Sequence, residues 1–190
     1  MTRERIIKPL AIAVLRAVGG LFFSRKYLRG RWFDQYTVGW RWVWRSIWTQ
    51  RVLGFNRHAP FPVSPFIKLG PVENITFHID DLNNFQDHGC YFQCFGAKIA
   101  IGEGTYIAPN VGIITTNHDP SNPDVHLPGA DVVIGRKCWI GMNAVVLPGC
   151  HLGDGTVVAA GAVVTKSFPE GRCVLAGVPA RVIRRLDTAD

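Results

Sequence analysis

His118 stands in the stretch "TTNHDP", Thr115–Pro120, where a run of short aliphatic repeats gives way to a polar, proline-bearing segment. Near neutral pH an unperturbed imidazole, with a pKa of about 6.5, is uncharged and able to take a proton. A histidine at an interrupted repeat is therefore a candidate general base. The five other histidines (His58, His78, His88, His126, His151) have no comparable context, and no pair shows the H-x-x-x-x-H spacing of a zinc-ligating segment. No metal site is expected. No G-x-S-x-G elbow is present, and the five cysteines (Cys90, Cys94, Cys138, Cys150, Cys173) form no C-x-x-C pair. Covalent catalysis has no visible nucleophile, and the thiols read as small apolar fillers of a reducing, cytosolic setting.

The elements that must position His118 follow a six-residue period. Hexads begin at Ile101, Ile107 and Ile113, stop, and resume at Ile134, Ile140, Val146, Leu152 and Val158. The next residue is usually small (Gly102, Ala108, Gly135, Gly141, Gly153, Ala159). Six matches neither the helical 3.6 nor the strand period of two, so it describes a coil that turns a corner every hexad. One aliphatic side chain per short strand points inward. The small neighbour allows a corner where a larger Cβ would collide or a positive φ is needed. Three sides close a rung, and stacked rungs bury a column of Ile, Val and Leu. From Ile113 to Ile134 is 21 residues, one hexad plus a 15-residue insertion, residues 119–133, with His118 at its base. Such an insertion leaves the core undisturbed and is free to carry function.

The segment "IGRKCWIGMNAVVLPGCHLGDGTVVAAGAVVTKSFPEGRCVLAGVPARVIRRL", with its "WIG", "GAVVTK" and "AGVPARVI" motifs, resembles the hexapeptide-repeat acyltransferases. It is most similar to their maltose and galactoside O-acetyltransferase branch and that branch's polysaccharide-modifying relatives. The resemblance implies an all-β fold, a left-handed parallel β-helix with a protruding loop. It implies an acetyl-CoA-dependent O-acetyltransferase acting on a sugar hydroxyl, with no metal, and a homotrimer with active sites between subunits. Thr115 and His118 match the family's T-x-x-H site, which makes His118 the catalytic base. Carried over residue by residue, Gly141, Met142, Ala160, Thr165, Lys166, Arg181 and Arg184 stand at coenzyme A contacts, and Trp139, outward by the register, is expected at a ligand contact or a subunit interface. Met142 and Ala160 replace glycine and serine of many relatives, which spares backbone contacts only. Asn84, Asn83 and Asp87 are candidates for the oxyanion or substrate role, and Asp124 or Asp131 for orienting the imidazole. Serine or amino-sugar acetylation on the same fold is the alternative acceptor chemistry, and a non-catalytic trimeric scaffold is the rival from another class.

The formal charge of +7 is unevenly distributed. Residues 1–57 carry 12 Lys/Arg against Glu4 and Asp34, a balance of +10, while residues 58–190 carry 9 against 12 acids, a balance of −3. The basic stretch also holds five of the six tryptophans. In "YTVGWRWVWRSIW", Tyr36, Trp40, Val43, Trp44, Ile47 and Trp48 recur at helical spacing, with Arg41 and Arg45 on another face. A basic helix carrying indoles suits peripheral contact with a membrane surface, or packing on the protein itself, and argues against nucleic acid. "PLAIAVL", Pro9–Leu15, has the look of a signal-peptide core, but Arg16 interrupts it and no cleavage site follows. Each apolar run is far below the roughly 20 residues that span a bilayer. The expected organisation is a helical extension over 1–57, a proline-punctuated connector over 58–74, the β-helix over 75–168 and a C-terminal segment over 169–190. The expected location is the cytoplasm, peripheral to the inner face of the membrane, with a surface polysaccharide or lipid-linked glycan as acceptor.

Overall fold

The computed structural model describes residues 2–187, with side chains from residue 9 onward. Met1, the basic side chains before residue 9 and the last three residues of the C-terminal segment lie outside the described residues. The chain divides into two compact units, Met1–Pro65 and Phe66–Asp190.

The first unit is helical. Helix α1, Thr2–Gly19, contains the apolar Pro9–Leu15 run, and helix α2, Val38–Ser46, continues as a wider π-helical stretch over Ile47–Val52. Phe23, Leu28, Phe33, Trp40, Val43, Phe61 and Val63 form its core. The tryptophan-rich helix does not bury the stripe read from its spacing. Trp40 and Val43 are inside, whereas Tyr36, Trp44 and Trp48 are exposed. The indole of Trp40 meets the Phe33 ring edge-on at 5.0 Å and donates to the Phe33 carbonyl at 3.1 Å. A Cβ on Gly39 would stand 2.6 Å from the same phenyl ring, so the helix approaches Phe33 through its glycine and fixes which side faces inward.

The second unit is a parallel β-helix. Its first face stacks Lys68–Leu69, Tyr91–Gln93, Gly112–Ile114, Val145–Val146 and Val163–Val164. Its second stacks Ile75–Thr76, Ile99–Ile101, Val132–Ile134 and His151–Leu152. Its third stacks Tyr106–Ile107, Trp139–Ile140, Val157–Val158 and Cys173–Ala176, then Arg181–Arg185 returning antiparallel. Pairing thus begins at Lys68, inside the stretch read as connector, and the C-terminal segment closes the third face.

Register explains the period. Ile140 pairs with Val158, and Ile134 with Leu152, 18 residues or three hexads apart. Ile101↔Ile134, Ile107↔Ile140 and Ile113↔Val146 are instead 33 apart, one turn plus the 15 residues of the loop. All these aliphatic side chains are buried in one column, each contributing on the order of 1.5–3 kcal/mol. The small second residue answers collision and not φ. A Cβ on Gly102 would lie 2.4 Å from the Gly135 carbonyl carbon, and one on Gly135 2.6 Å from the Asp154 nitrogen. Left-handed backbone belongs instead to the fourth residue of the hexad, at Gly104, Asn110, Lys137, Asn143, Gly149, Gly155 and Gly161.

Candidate active site

The corner between the first and second faces carries the insertion. Before it the chain is pinned by Gln93, a buried glutamine whose Oε1 accepts from the Thr115 and Thr116 amides at 2.9 and 3.0 Å. Its Nε2 donates to the Thr116 carbonyl at 2.9 Å. Thr116 Oγ1 donates to the Phe95 carbonyl at 2.7 Å. A buried amide that satisfies three backbone groups makes the approach to His118 rigid.

The insertion is itself ordered. His118–Asp119 pairs antiparallel with Asn122–His126, closing a hairpin over Pro120 and Ser121. Asp119 Oδ1 accepts from the Ser121 amide at 2.8 Å and from its hydroxyl at 2.6 Å, an Asx turn. Those bonds, the hydroxyl's first, hold the Asp119 carboxyl below its ordinary pKa. The returning limb is tied by Leu127 N to the Asn117 carbonyl and Ala130 N to the Thr115 carbonyl, each 2.8 Å.

His118 is exposed, outside the aliphatic column. Its Nδ1 lies 2.6 Å from the Pro123 carbonyl oxygen. A carbonyl only accepts, so Nδ1 carries the hydrogen and the lone pair of the neutral ring resides on Nε2. The group that orients the imidazole is thus this backbone oxygen, and neither of the carboxylates expected to do so is bonded to it. Asp131 Oδ1 accepts from the Lys98 amide at 2.7 Å and anchors the loop's exit to the preceding turn. Asp124 is exposed in the returning strand, its amide bonded to Asn122 Oδ1 at 3.2 Å. The ring of His126 packs on that of His118, centroids 4.2 Å apart.

The amide candidates for the oxyanion are differently engaged. Asn84 is buried, with Nδ2 donating to the Thr105 carbonyl at 2.8 Å and Oδ1 accepting from the Ile107 amide at 3.0 Å. Both ends are spent on backbone, so it staples a turn of the coil. Asn83 Nδ2 points to Asn84 Oδ1 at 3.5 Å, and Asp87 pairs with His88 at 2.8 Å. The structure brings none of the three to His118 through a hydrogen bond.

Beside the loop lies a cleft of about 490 Å³, lined by Phe95, Gly96, Thr116, His126, Leu127 and Gly129. Phe95 is 48% exposed, and nothing lies within 4 Å of where a Cβ on Gly96 would project. Among the described residues no lysine, arginine or carboxylate lines it. Gly129 lets the returning limb close against the preceding corner, since a Cβ there would lie 2.9 Å from that of Ala97. Sequence reading missed His126, Pro123, Gln93 and Phe95. The available signal was the turn-forming "DPSN", which announces a hairpin and places its two histidines across from one another.

Of the residues matched to coenzyme A contacts, Gly141, Met142, Ala160, Thr165 and Lys166 fall on two corners flanking the first face. Met142 and Ala160 occupy successive turns of one, where Gly161 N donates to the Met142 carbonyl at 2.8 Å, and Gly141 beneath them is buried. Arg181 leaves the top of that same corner, with Arg184 farther along the closing strand, both exposed. Exposed Thr165 and Lys166 lie above His118's corner. Trp139 is 57% exposed and pairs in register with Tyr106, so the two rings stand outward on the third face. All five cysteines are buried and unpaired, and burial raises each thiol pKa, that of Cys94 to about 11. They are protonated and inert near neutral pH.

The three-faced parallel coil that carries the histidine-bearing loop shares its repeat with known proteins. Residues 131–166 match the family model described as bacterial transferase hexapeptide (six repeats). The galactoside O-acetyltransferase of Escherichia coli K12 is 40% identical over 96 residues, 48% of this chain and 46% of that protein. WbbJ of the same strain, named for O-acetyl transfer in lipopolysaccharide biosynthesis, is 42% identical over 100 residues, 46% of this chain and 50% of that one. A solved galactoside acetyltransferase in complex with coenzyme A superposes with a TM-score of 0.55 at 30% identity, covering 66% of this chain and 61% of that one. The matches span about half the length of the curated relatives. The resemblance drawn from the hexads holds: the repeat model falls on the coil, and the coil, a left-handed parallel β-helix, superposes on that of the solved galactoside acetyltransferase.

Proposed function

We propose that this protein transfers an acetyl group from acetyl-CoA to a sugar hydroxyl, with His118 as general base. One observation carries the reading: an exposed imidazole whose Nδ1 is engaged by a backbone carbonyl, leaving the Nε2 lone pair for a substrate. Nε2 takes the hydroxyl proton as the oxygen attacks the thioester carbonyl. The C–O bond forms, the tetrahedral intermediate collapses with cleavage of the C–S bond, and the thiolate recovers the proton from the imidazolium. A thioester is already activated, so no acyl-enzyme is needed, in keeping with the protonated state of the buried thiols.

Two substrates need two seats. The cleft beside His126 has no cation for phosphates, which favours it for the neutral acceptor, with Phe95 under the C–H face of a sugar ring. Lys166, Arg181 and Arg184 supply cations for coenzyme A, and exposed backbone at the Met142 and Ala160 corner suits the amides of the pantetheine arm. The coenzyme A bound by the galactoside acetyltransferase relative supports that half of the reading. The name of WbbJ supports a surface polysaccharide or its lipid-linked precursor as acceptor. We assign the reaction to the cytoplasm, where coenzyme A thioesters are supplied, and to a homotrimer.

The test is mass spectrometry of surface glycans and lipid-linked oligosaccharides from cells carrying the wild-type protein or His118→Ala. Acetyl groups present in the first and missing in the second are expected. Identical acetylation in both would overturn the assignment.

A further inference from the structure

The exposed side of α2 and its π-helical continuation carries large hydrophobic side chains that the acetyl-transfer reading does not use. Trp44 is 47% and Trp48 60% exposed, one turn apart, with Val52 and Leu53 beyond them. The opposite side is committed. Trp40 and Val43 are buried, Ser46 Oγ donates to the Val63 carbonyl at 3.2 Å, and Gln50 bonds the Val63 amide and the Phe61 carbonyl. The helix cannot turn its indoles inward without breaking those bonds.

Charge selects the occupant. From Gln35 to Val72 no acidic residue occurs, while Arg41, Arg45, Arg51 and Arg57 do. Asp34, just before, is paired with Arg16. At a helical advance of about 100° per residue, Arg41 lies about 60° from Trp44 and about 20° from Trp48, so it shares their side and not the separate face its spacing suggested, and Arg41 is exposed. Arginine among indoles on one face meets the two demands of a lipid headgroup layer: a cation at phosphate depth and an amphipathic ring at the apolar boundary. Among the described residues no helix is long and apolar enough to cross a bilayer; one side apolar with a cation beside it is what a helix lying in the surface needs.

We propose that the Trp44–Trp48–Val52 face, with Arg41, docks this protein on an anionic lipid surface. This stands apart from the acetyl-transfer reading, and its test needs no acetyl-CoA. The full chain is sedimented with phosphatidylcholine vesicles with and without phosphatidylglycerol, at low and high salt. Tryptophan quenching by brominated lipid is read in parallel. Binding is expected only with phosphatidylglycerol, weakening with salt, with indoles quenched. Trp44→Ser/Trp48→Ser should lose most of the quenching and the binding. Arg41→Gln should weaken binding about fivefold, as removing one cation near an anionic surface does. Far-UV circular dichroism confirms that each variant is folded. Failure to bind at low salt, or equal binding by the double variant, would overturn the proposal. So would a double variant that changes only the sedimenting mass, which would make the face a contact between copies of the chain.

Discussion

At His118 the choice between base and acid turns on one backbone oxygen. The Pro123 carbonyl holds Nδ1–H, so the neutral ring presents Nε2 as acceptor. Nitrogen NMR of the imidazole is expected to show the Nδ1–H tautomer at neutral pH; a dominant Nε2–H form would contradict the assignment of the base. The thiols give a second prediction at this scale. Buried, with Cys94 raised to about 11, they should resist iodoacetamide in the native protein and react only after unfolding. Rapid native labelling would contradict the burial. His118 was legible in the sequence because it breaks a period. Its partner was not, because a carbonyl has no residue type and any loop residue can supply one.

The loop and the corners are the elements that hold the site. Asp119 accepts two bonds from Ser121, and its pKa is lowered in the folded state. A lowered carboxyl stabilises the folded form above its unfolded pKa of about 3.9 and loses that contribution as pH falls through the folded value. The hairpin should therefore loosen in acid, and Asp119→Ala should loosen it at neutral pH. Hydrogen exchange of the loop amides is expected to rise in the variant while the coil's does not; unchanged loop protection would count against the turn's role. Asn84 gives the converse. It bridges Thr105 and Ile107 inside the coil, and Asn84→Ala leaves a buried amide unpaired at a cost of about 1–3 kcal/mol. Thermal unfolding should register that loss. If activity fell with stability unchanged, Asn84 would be a site residue after all. The hexads announced the coil, since aliphatic, small and polar positions recur at fixed intervals. They concealed its division of labour, because collision at the second position and positive φ at the fourth both select small or permissive residues. The hairpin has no core of its own and so no period to read.

For the whole molecule, the sequence separated a basic, aromatic third from a coil, and the structure divides the chain at Pro65. Which indoles would be buried could not be read from spacing, because Trp40 and Trp44 both fit a helical stripe. Gly39 against Phe33 decides it, a contact no periodicity encodes. The outward pair Tyr106 and Trp139 suits an interface between copies of the coil. Sedimentation equilibrium is expected to return three times the 21.1 kDa chain mass. Trp139→Ala should weaken the assembly; a monomeric wild-type chain would remove the trimer from the account.

The most direct measurement is thiol release from acetyl-CoA by the purified chain, with oligosaccharides from its own cells as acceptors, compared with His118→Ala. Acceptor-dependent release is expected from the wild type, with a loss of about 10²–10⁴-fold in kcat for a variant that unfolds at the same temperature. A folded His118→Ala protein releasing thiol at the wild-type rate would contradict the claim that this imidazole moves the proton.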